Sequence, residues 1–269
     1  MLIFMPIHFY KISINYAMVN IIKFIKMIHN PELEKCLAPK KYTGEQPNNF
    51  ILLFDIDYCL YSGERCKEAE DNFMNSVENN LIKEWNENEN RAKAKTIKEL
   101  KSEYGSIVEG ITKFYGKDLK FCRQNSFYDI HKYIEKNEDL IKALEGLPYD
   151  KYCFTNGLQR RSEPILEKLE IQKFFKAVFC PDDDDSQESS QRIAKPKVEA
   201  FRFVENCLKV DKGTRLVLFD DLKHNIEMAK SEEFQWIAYL VDSEKDIVTQ
   251  INEFKRAYLP ERETLNNTV

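Results

Sequence analysis

Five short apolar segments recur along the chain from residue 50 onward, and each has the length of a buried strand. They are FILLFD at 50–55, KYCFTN at 151–156, KAVFC at 176–180, RLVLFD at 215–220 and WIAYL at 236–240. Because these segments are largely apolar instead of alternating with polar residues, they are typical of strands covered on both faces of a parallel sheet. The pattern therefore predicts five parallel strands.

The segments between the later strands have the spacing of amphipathic helices. They are RRSEPILEKLEIQKFF at 160–175, KPKVEAFRFVENCLKV at 195–210 and LKHNIEMAKSEEF at 222–234. Alternation of strand and helix indicates βαβ units, which form a parallel sheet with helices on both faces. Ligands of such sheets bind beyond the carboxyl ends of the strands.

Residues 63–147 interrupt this alternation with a helical block, in which apolar residues recur every three or four positions among many Glu, Lys and Asn. The block is longer than the roughly 30 residues of a βαβ unit, so we interpret it as an inserted helical cap. The predicted core comprises residues 49–62 and 148–269, and the fold class is α/β with a Rossmann-like parallel sheet.

Residues 1–48 form a predicted N-terminal extension of uncertain order. Its apolar segments are interrupted by Pro6, His8, Lys11 and Asn20, so none reaches the roughly 18 residues expected of a membrane span. An interfacial amphipathic helix, a weak transit peptide and a non-native extension stay open for residues 1–28.

Charge and cysteine content narrow the functional classes. The chain has 40 basic and 45 acidic side chains and a net charge of −5, which disfavours a nucleic acid polymer as the partner. Seven cysteines without a CxxC pair favour reduced thiols. We therefore expect a cytoplasmic protein, with the nucleus as a further location; the oligomeric state stays open.

Polar side chains cluster where the predicted strands end or the following helix begins. These residues are Asp55, Asp57, Thr155, Asn156, Lys195, Asp220 and Asp221. Crowded carboxylates repel one another unless a cation is present, and oxygen ligands suit Mg²⁺. A carboxylate beside Mg²⁺ can attack phosphorus while a second one transfers protons, so this set of groups predicts phosphoryl transfer.

Four segments resemble the ordered motifs of the haloacid dehalogenase superfamily: DIDYCLY at 55–61, FTNG at 154–157, KPKVEAF at 195–201 and FDDLKHN at 219–225. The segment EYGSIVEGI at 103–111 and the overall spacing resemble the pyrimidine 5′-nucleotidase-like group of fungal soluble phosphatases. The resemblance implies a phosphatase core, Mg²⁺ dependence, an aspartate nucleophile and a mobile cap.

Roles for individual residues follow from the resemblance. Asp55 would be the nucleophile and Asp57 the general acid–base. Thr155 and Asn156 would bind phosphate, and Lys195, preferred to Lys197 because it precedes Pro, would clamp it.

The metal ligands implied by the resemblance are Asp55, Asp57, Asp221 and Asp220, with Asp221 the more usual ligating acid and Asp220 acting through water. Asn225 matches a helix Asn of the group, although a surface amide is an equal interpretation. Tyr104 in the cap either stacks on a substrate base or packs.

Two residues depart from the superfamily pattern. Leu222 stands where Ser commonly follows the paired acids, which removes a hydroxyl near the metal. Cys59 stands where Thr is frequent, and we interpret it as a buried apolar residue, not a second nucleophile.

The leading hypothesis is a Mg²⁺-dependent phosphomonoesterase that acts on small molecules, with a nucleoside 5′-monophosphate as the expected substrate. Another small phosphometabolite, a phosphomutase reaction and a catalytically idle regulatory protein with this fold are the alternatives.

Overall fold

The computed structural model describes residues 23–27, 49–87, 93–104, 107–126, 129–181, 193–211 and 213–259. Residues 1–22 and 28–48 of the predicted extension lie outside these ranges. No helix in the described ranges combines the length and the apolar character that a membrane crossing requires.

One six-stranded sheet forms the centre of the fold. Its strands are β1 (Lys23–Met27), β2 (Asn49–Phe54), β3 (Asp150–Phe154), β4 (Ala177–Pro181), β5 (Thr214–Asp220) and β6 (Ile237–Leu240). They lie in the order β1-β4-β3-β2-β5-β6, and every neighbouring pair is parallel. The predicted α/β class with a Rossmann-like parallel sheet is confirmed.

Nine α-helices connect and cover the strands within the described ranges. They are α1 (Glu64–Asn86), α2 (Ile97–Tyr104), α3 (Ile107–Tyr115), α4 (Leu119–Gln124), α5 (Glu138–Glu145), α6 (Gln159–Lys168), α7 (Val198–Leu208), α8 (Lys223–Lys230) and α9 (Ile247–Tyr258). Two short 3₁₀ helices, Asp129–Tyr133 and Gln172–Phe174, complete them.

The sheet has one strand more than the sequence predicted. β1 comes from the segment assigned to the N-terminal extension, and it pairs with β4 at one edge of the sheet. Its sequence KFIKM contains two lysines in five residues, of which Lys23 is exposed. An edge strand is paired on one side only, so it tolerates charged residues and lacks the continuous apolar signal of the central strands.

The sheet separates two hydrophobic clusters because neighbouring residues of a strand point to opposite faces. In β2, Leu52 and Phe54 belong to one cluster and Leu53 to the other. Phe54 stacks on Phe219 of β5 with ring centroids 4.8 Å apart. Both faces of the central strands are therefore covered, as their apolar sequences predicted.

The helical insertion, residues 64–145 with helices α1 to α5, lies between β2 and β3 and has a small core of its own. That core comprises Val77, Leu81, Leu100, Ile111, Tyr115 and Cys122. In contrast, Ile130 and Leu140 pack with the main core cluster. The hydrophobic contacts thus divide the predicted cap range 63–147 near residue 126; the domain boundaries themselves stay predictions.

Candidate active site

The loop after β2 carries Asp55 and Asp57 at the carboxyl end of the sheet. The Asp55 backbone N–H donates to Phe219 O at 2.9 Å, which continues the pairing of β2 with β5 by one residue. The chain then turns sharply, because the Leu60 N–H donates back to Ile56 O at 3.1 Å. The turn keeps both aspartates close to the strand end.

Tyr58 gives this turn an unusual backbone conformation. Its φ is 60°, in the left-handed region that bulky residues rarely adopt. Its ring lies against Gly63, where a Cβ would fall 2.2 Å from the Tyr58 Cδ1 atom. A glycine is therefore required at residue 63 for the ring to pack there.

Lys195 joins two of the aspartates in a buried ion-pair triad. Its Nζ lies 2.9 Å from Asp55 Oδ1 and 2.5 Å from Asp220 Oδ2. The exposed fractions are 6% for Asp55, 4% for Lys195 and 0% for Asp220, so solvent screens these charges little. Lys197 instead occupies the N-cap position of α7, makes no capping hydrogen bond through its side chain and is half-buried.

Asn156 fixes the backbone of Lys195. Its Nδ2 donates to Lys195 O and its Oδ1 accepts from Lys195 N, both at 2.8 Å. Thr155 is buried beside it, and its Oγ1 accepts from Gly157 N at 3.0 Å. The Asn156 side chain, predicted to bind phosphate, is thus also the support that places the lysine.

Three carboxylates converge on one point. An oxygen from each of Asp55, Asp220 and Asp221 lies within 4.8 Å of the others, and this is the group of candidate metal ligands found among the described residues. When all three are ionised, these carboxylates carry two negative charges more than the one ammonium of Lys195 compensates. A hard divalent cation matches both the charge and the oxygen donors.

Asp220 and Asp221 differ in how many partners they have. Asp220 accepts from Lys195, and its Oδ1 accepts from Leu222 N and from Asn225 Nδ2, both at 2.9 Å. Asn225 is 1% exposed, so the helix amide is buried and not on the surface. Asp221 is half-buried, and burial followed by the charge of Asp220 raises its pKa to about 6.

Burial sets the electrostatics of the two central groups. It raises the pKa of the Asp55 carboxyl well above its ordinary value; Lys195 opposes this shift, and Asp220 and Asp221 add to it. Burial alone would lower the pKa of Lys195, but the charges of Asp220 and Asp55 raise it overall. The lysine stays protonated, and a further cation would favour the ionised form of Asp55.

Asp57 is held by residues to which the sequence analysis gave no role. Its Oδ1 accepts from Tyr61 OH at 2.7 Å and from Arg161 Nε at 2.8 Å, and Arg161 Nη2 donates to Glu70 of α1 at 3.2 Å. Tyr61 ends the motif DIDYCLY, and Arg161 lies in α6, six residues after Thr155. Tyr61 belongs to one motif and Arg161 follows FTNG by four residues, so their closeness to these motifs in the sequence could have indicated them.

Three side-chain oxygen atoms lie so close to Gly157 that a side chain would not fit there without movement. A Cβ placed on Gly157 would lie 2.9 Å from Asp57 Oδ2, 3.2 Å from Ser162 Oγ and 3.3 Å from Thr155 Oγ1. Ser162 is 0% exposed, and its Oγ has no hydrogen-bond partner among the described residues. The absence of a side chain at Gly157 therefore lets these three oxygen atoms approach the backbone of the motif FTNG closely.

The family model of the haloacid dehalogenase-like hydrolases matches residues 51–231, which contain all seven polar side chains predicted for the site. The chain belongs to the haloacid dehalogenase-like hydrolases. The comparison with curated protein sequences found no matching relative.

Solved structures similar to this hydrolase come from several bacteria. YfnB of Bacillus subtilis, described as bound to magnesium, is 15% identical, with a TM-score of 0.49 over 78% of this chain and 99% of its own. A haloacid dehalogenase-like family protein of Streptococcus pneumoniae is 12% identical, with a TM-score of 0.47 over 72% of this chain and 85% of its own. L-2-haloacid dehalogenase of Xanthobacter autotrophicus is 16% identical, with a TM-score of 0.41 over 72% of this chain and 79% of its own.

Two further residues of this hydrolase were singled out in the sequence. Tyr104 ends α2 and packs against the small core of the insertion, and Lys95 Nζ lies 5.8 Å from its ring centroid. Cys59 is 2% exposed, and burial raises the pKa of its thiol well above the ordinary value. The thiol is therefore a buried group and not an activated nucleophile, as expected.

The triad predicts a stability effect that is independent of catalysis. Lys195→Met should lower the free energy of unfolding by about 3 kcal/mol, because Asp55 and Asp220 then lack a buried counterion. Adding Asp220→Asn should recover part of this loss by removing one of the two charges. Urea unfolding in metal-free buffer measures both effects.

The control for this experiment is Lys197→Met, which changes a half-buried lysine two residues away and should alter stability by less than about 0.5 kcal/mol. Equal losses from the two lysine variants would contradict the importance of the triad.

Proposed function

We propose that the protein is a Mg²⁺-dependent phosphomonoester hydrolase in which Asp55 is the nucleophile. The observation that carries the proposal is the position of Asp55, which is buried at the end of β2, pairs with the Lys195 ammonium and has an oxygen within 4.8 Å of oxygens of Asp220 and Asp221. Membership in the hydrolase family supports the reaction class.

The reaction has two balanced steps. In the first, an Asp55 oxygen attacks phosphorus, the bond from phosphorus to the leaving oxygen breaks, and Asp57 gives its proton to that oxygen. In the second, Asp57 takes a proton from a water molecule, whose oxygen attacks phosphorus and releases Asp55 and phosphate. Asp57 Oδ2 is suited to both transfers because Tyr61 and Arg161 occupy only Oδ1.

Positive and polar groups of the chain would stabilise the transferring phosphoryl group. Lys195 stays protonated within the triad, and Thr155 presents a buried hydroxyl beside Gly157. Such donors act strongly when they are fixed in advance and shielded from water. Asn156 contributes by holding the backbone of Lys195 at two points.

The donor set fits Mg²⁺, which prefers oxygen ligands in octahedral geometry. Asp55 and Asp221 would hold the ion directly, while Asp220 is occupied by Lys195 and Asn225 and would contribute from behind them. When bound, Mg²⁺ supplies the positive charge that offsets the carboxylates and the phosphoryl oxygens.

The proposed substrate is a nucleoside 5′-monophosphate. The support is the resemblance of the motifs and of residues 103–111 to the pyrimidine 5′-nucleotidase-like group. The groups at the carboxyl end of the sheet would contact only the phosphate. Recognition of the base would therefore depend on the helical insertion. Tyr104 is the candidate contact, although its described neighbours belong to the insertion itself.

The nucleophile is tested by Asp55→Asn, which preserves the shape of the side chain but cannot form the aspartyl-phosphate. With Mg²⁺ and a panel of phosphomonoesters, the unchanged protein should release phosphate, and the folded variant should lose at least about 1,000-fold in kcat. Asp150→Asn, an exposed aspartate at the start of β3, is the control and should keep full activity. Comparable turnover in Asp55→Asn would refute the mechanism.

The metal assignment is tested by calorimetric titration with Mg²⁺. Asp221→Asn should weaken binding by at least about 10-fold, the loss that even changes outside the ligand shell produce. Asp220→Asn should lower stability more than affinity, because Asp220 is fully buried with three partners. Glu227→Gln, an exposed acid on α8, should change neither; the reverse order for the two aspartates would reassign the ligand.

The substrate proposal is tested by comparing kcat/KM across the panel. UMP or CMP should exceed the sugar phosphates, and Tyr104→Ala should lower kcat/KM by about 10-fold for nucleotides and much less for p-nitrophenyl phosphate. Tyr104→Phe, which keeps the ring, should retain most activity if the residue stacks on a base. A sugar phosphate or phosphopeptide that exceeds every nucleotide would overturn the nucleotide proposal but not the hydrolase proposal.

A further inference from the structure

The two oxygens of Asp57 have different surroundings. Oδ1 accepts two hydrogen bonds, from Tyr61 OH at 2.7 Å and Arg161 Nε at 2.8 Å. Oδ2 lies close to Gly157 of the motif FTNG, as do the hydroxyl oxygens of Thr155 and Ser162. The hydrogen bonds to Oδ1 therefore leave Oδ2 as the oxygen that lies towards the motif FTNG, whose Thr155 is proposed to stabilise the phosphoryl group.

Arg161 connects three parts of the protein. It lies in α6, which follows the motif FTNG; its Nε binds Asp57 in the loop after β2; and its Nη2 binds Glu70 in α1 of the helical insertion at 3.2 Å. The side-chain exposures are 12% for Arg161 and 22% for both carboxylates. These ion pairs are thus partly shielded from solvent. Salt and water screen them less than surface pairs, so the directions of their hydrogen bonds contribute more to their strength.

We propose that Arg161 is a positioning residue that aims Oδ2 of Asp57 at the leaving oxygen and that Glu70 makes this arrangement depend on the helical insertion. The inference rests on the proposed function, in which Asp57 is the general acid–base. Arg161 has both partners only when α1 lies against the core as it does in this structure. Placement of the insertion over the site and orientation of the proton donor are therefore linked through one guanidinium.

The planar guanidinium is suited to this role because its N–H groups point in fixed directions and bind two carboxylates at once. Tyr61 supplies the second donor to Oδ1, because its phenolic OH donates to that oxygen at 2.7 Å. With Oδ1 occupied, the proton that Asp57 gives to the leaving oxygen, and later takes from water, is carried by Oδ2.

The experiment compares two leaving groups in the Arg161→Met variant. A basic alkoxide needs a proton as the bond to phosphorus breaks, whereas p-nitrophenolate hardly does. We expect kcat to fall about 100-fold for the alkyl phosphomonoester that the unchanged protein hydrolyses fastest and by less than about 10-fold for p-nitrophenyl phosphate. KM for both substrates should change by less than about 3-fold.

Three further variants separate positioning from a general structural effect. Arg161→Lys keeps the positive charge but lacks the planar guanidinium that donates to Asp57 and Glu70 at once. It should retain more alkyl-ester activity than Arg161→Met. Glu70→Gln should show the same dependence on the leaving group, with a smaller loss. Arg160→Met changes the adjacent, exposed arginine and should leave both activities within about 2-fold.

A double-variant cycle tests whether Arg161 acts through Asp57. In the Asp57→Asn background, Arg161→Met should lower alkyl-ester kcat by less than about 3-fold, because the group that it positions is already lost. A full 100-fold loss in that background would overturn the inference. Circular dichroism and thermal unfolding verify that each variant is folded.

The outcomes distinguish this inference from the proposed function. Equal losses for alkyl and aryl esters, or no loss for either, overturn the role of Arg161 and leave the hydrolase proposal intact. If Arg161→Met does not fold, the same ratio measured in Arg161→Lys and Glu70→Gln decides. No phosphate release by the unchanged protein from any ester overturns both proposals together.

Discussion

The site depends on one buried interaction, the ion-pair triad in which the Lys195 ammonium lies between Asp55 and Asp220. Two nearly unexposed carboxylates at the carboxyl end of the sheet would be unfavourable without a cation between them. One lysine does not neutralise three carboxylates, because Asp221 converges on the same point. The remaining negative charge would favour a further cation at the carboxyl end of the sheet, and it would give the proposed nucleophile and the proposed metal site a common electrostatic origin.

The sheet makes this interaction geometrically possible. β2 is the central strand, with β3 and β5 as its parallel neighbours, so their carboxyl ends bring Asp55, Thr155 and Asp220 side by side. Lys195 comes from the segment before α7, and Asn156 holds its backbone through a reciprocal pair of hydrogen bonds. The lysine is thereby placed by hydrogen bonds to a neighbouring loop, not by the helix that follows it.

The second aspartate has a separate set of partners. Asp57 pairs with Arg161 and Tyr61, and Arg161 also binds Glu70 in the insertion. Among the described residues, the ion-pair partner of the proposed nucleophile Asp55 belongs to the core, whereas the support of the proposed acid–base includes Glu70 of the insertion. This division would allow the proposed substrate recognition and the proposed proton transfer to be linked without disturbing the buried triad.

The sequence by itself determined the parallel sheet, the helical insertion and the seven polar residues at the strand ends, because continuous apolar segments and short motifs are local signals. Only the tertiary structure decided the edge strand β1, whose lysines hide its pattern, and the packing of residues 129–145 with the core. It also decided that Arg161 binds Asp57, 104 residues earlier in the chain. Such a contact depends on how a helix packs against a loop from a distant part of the chain. Hydrophobic periodicity reports local structure only, so it does not indicate which distant side chains meet.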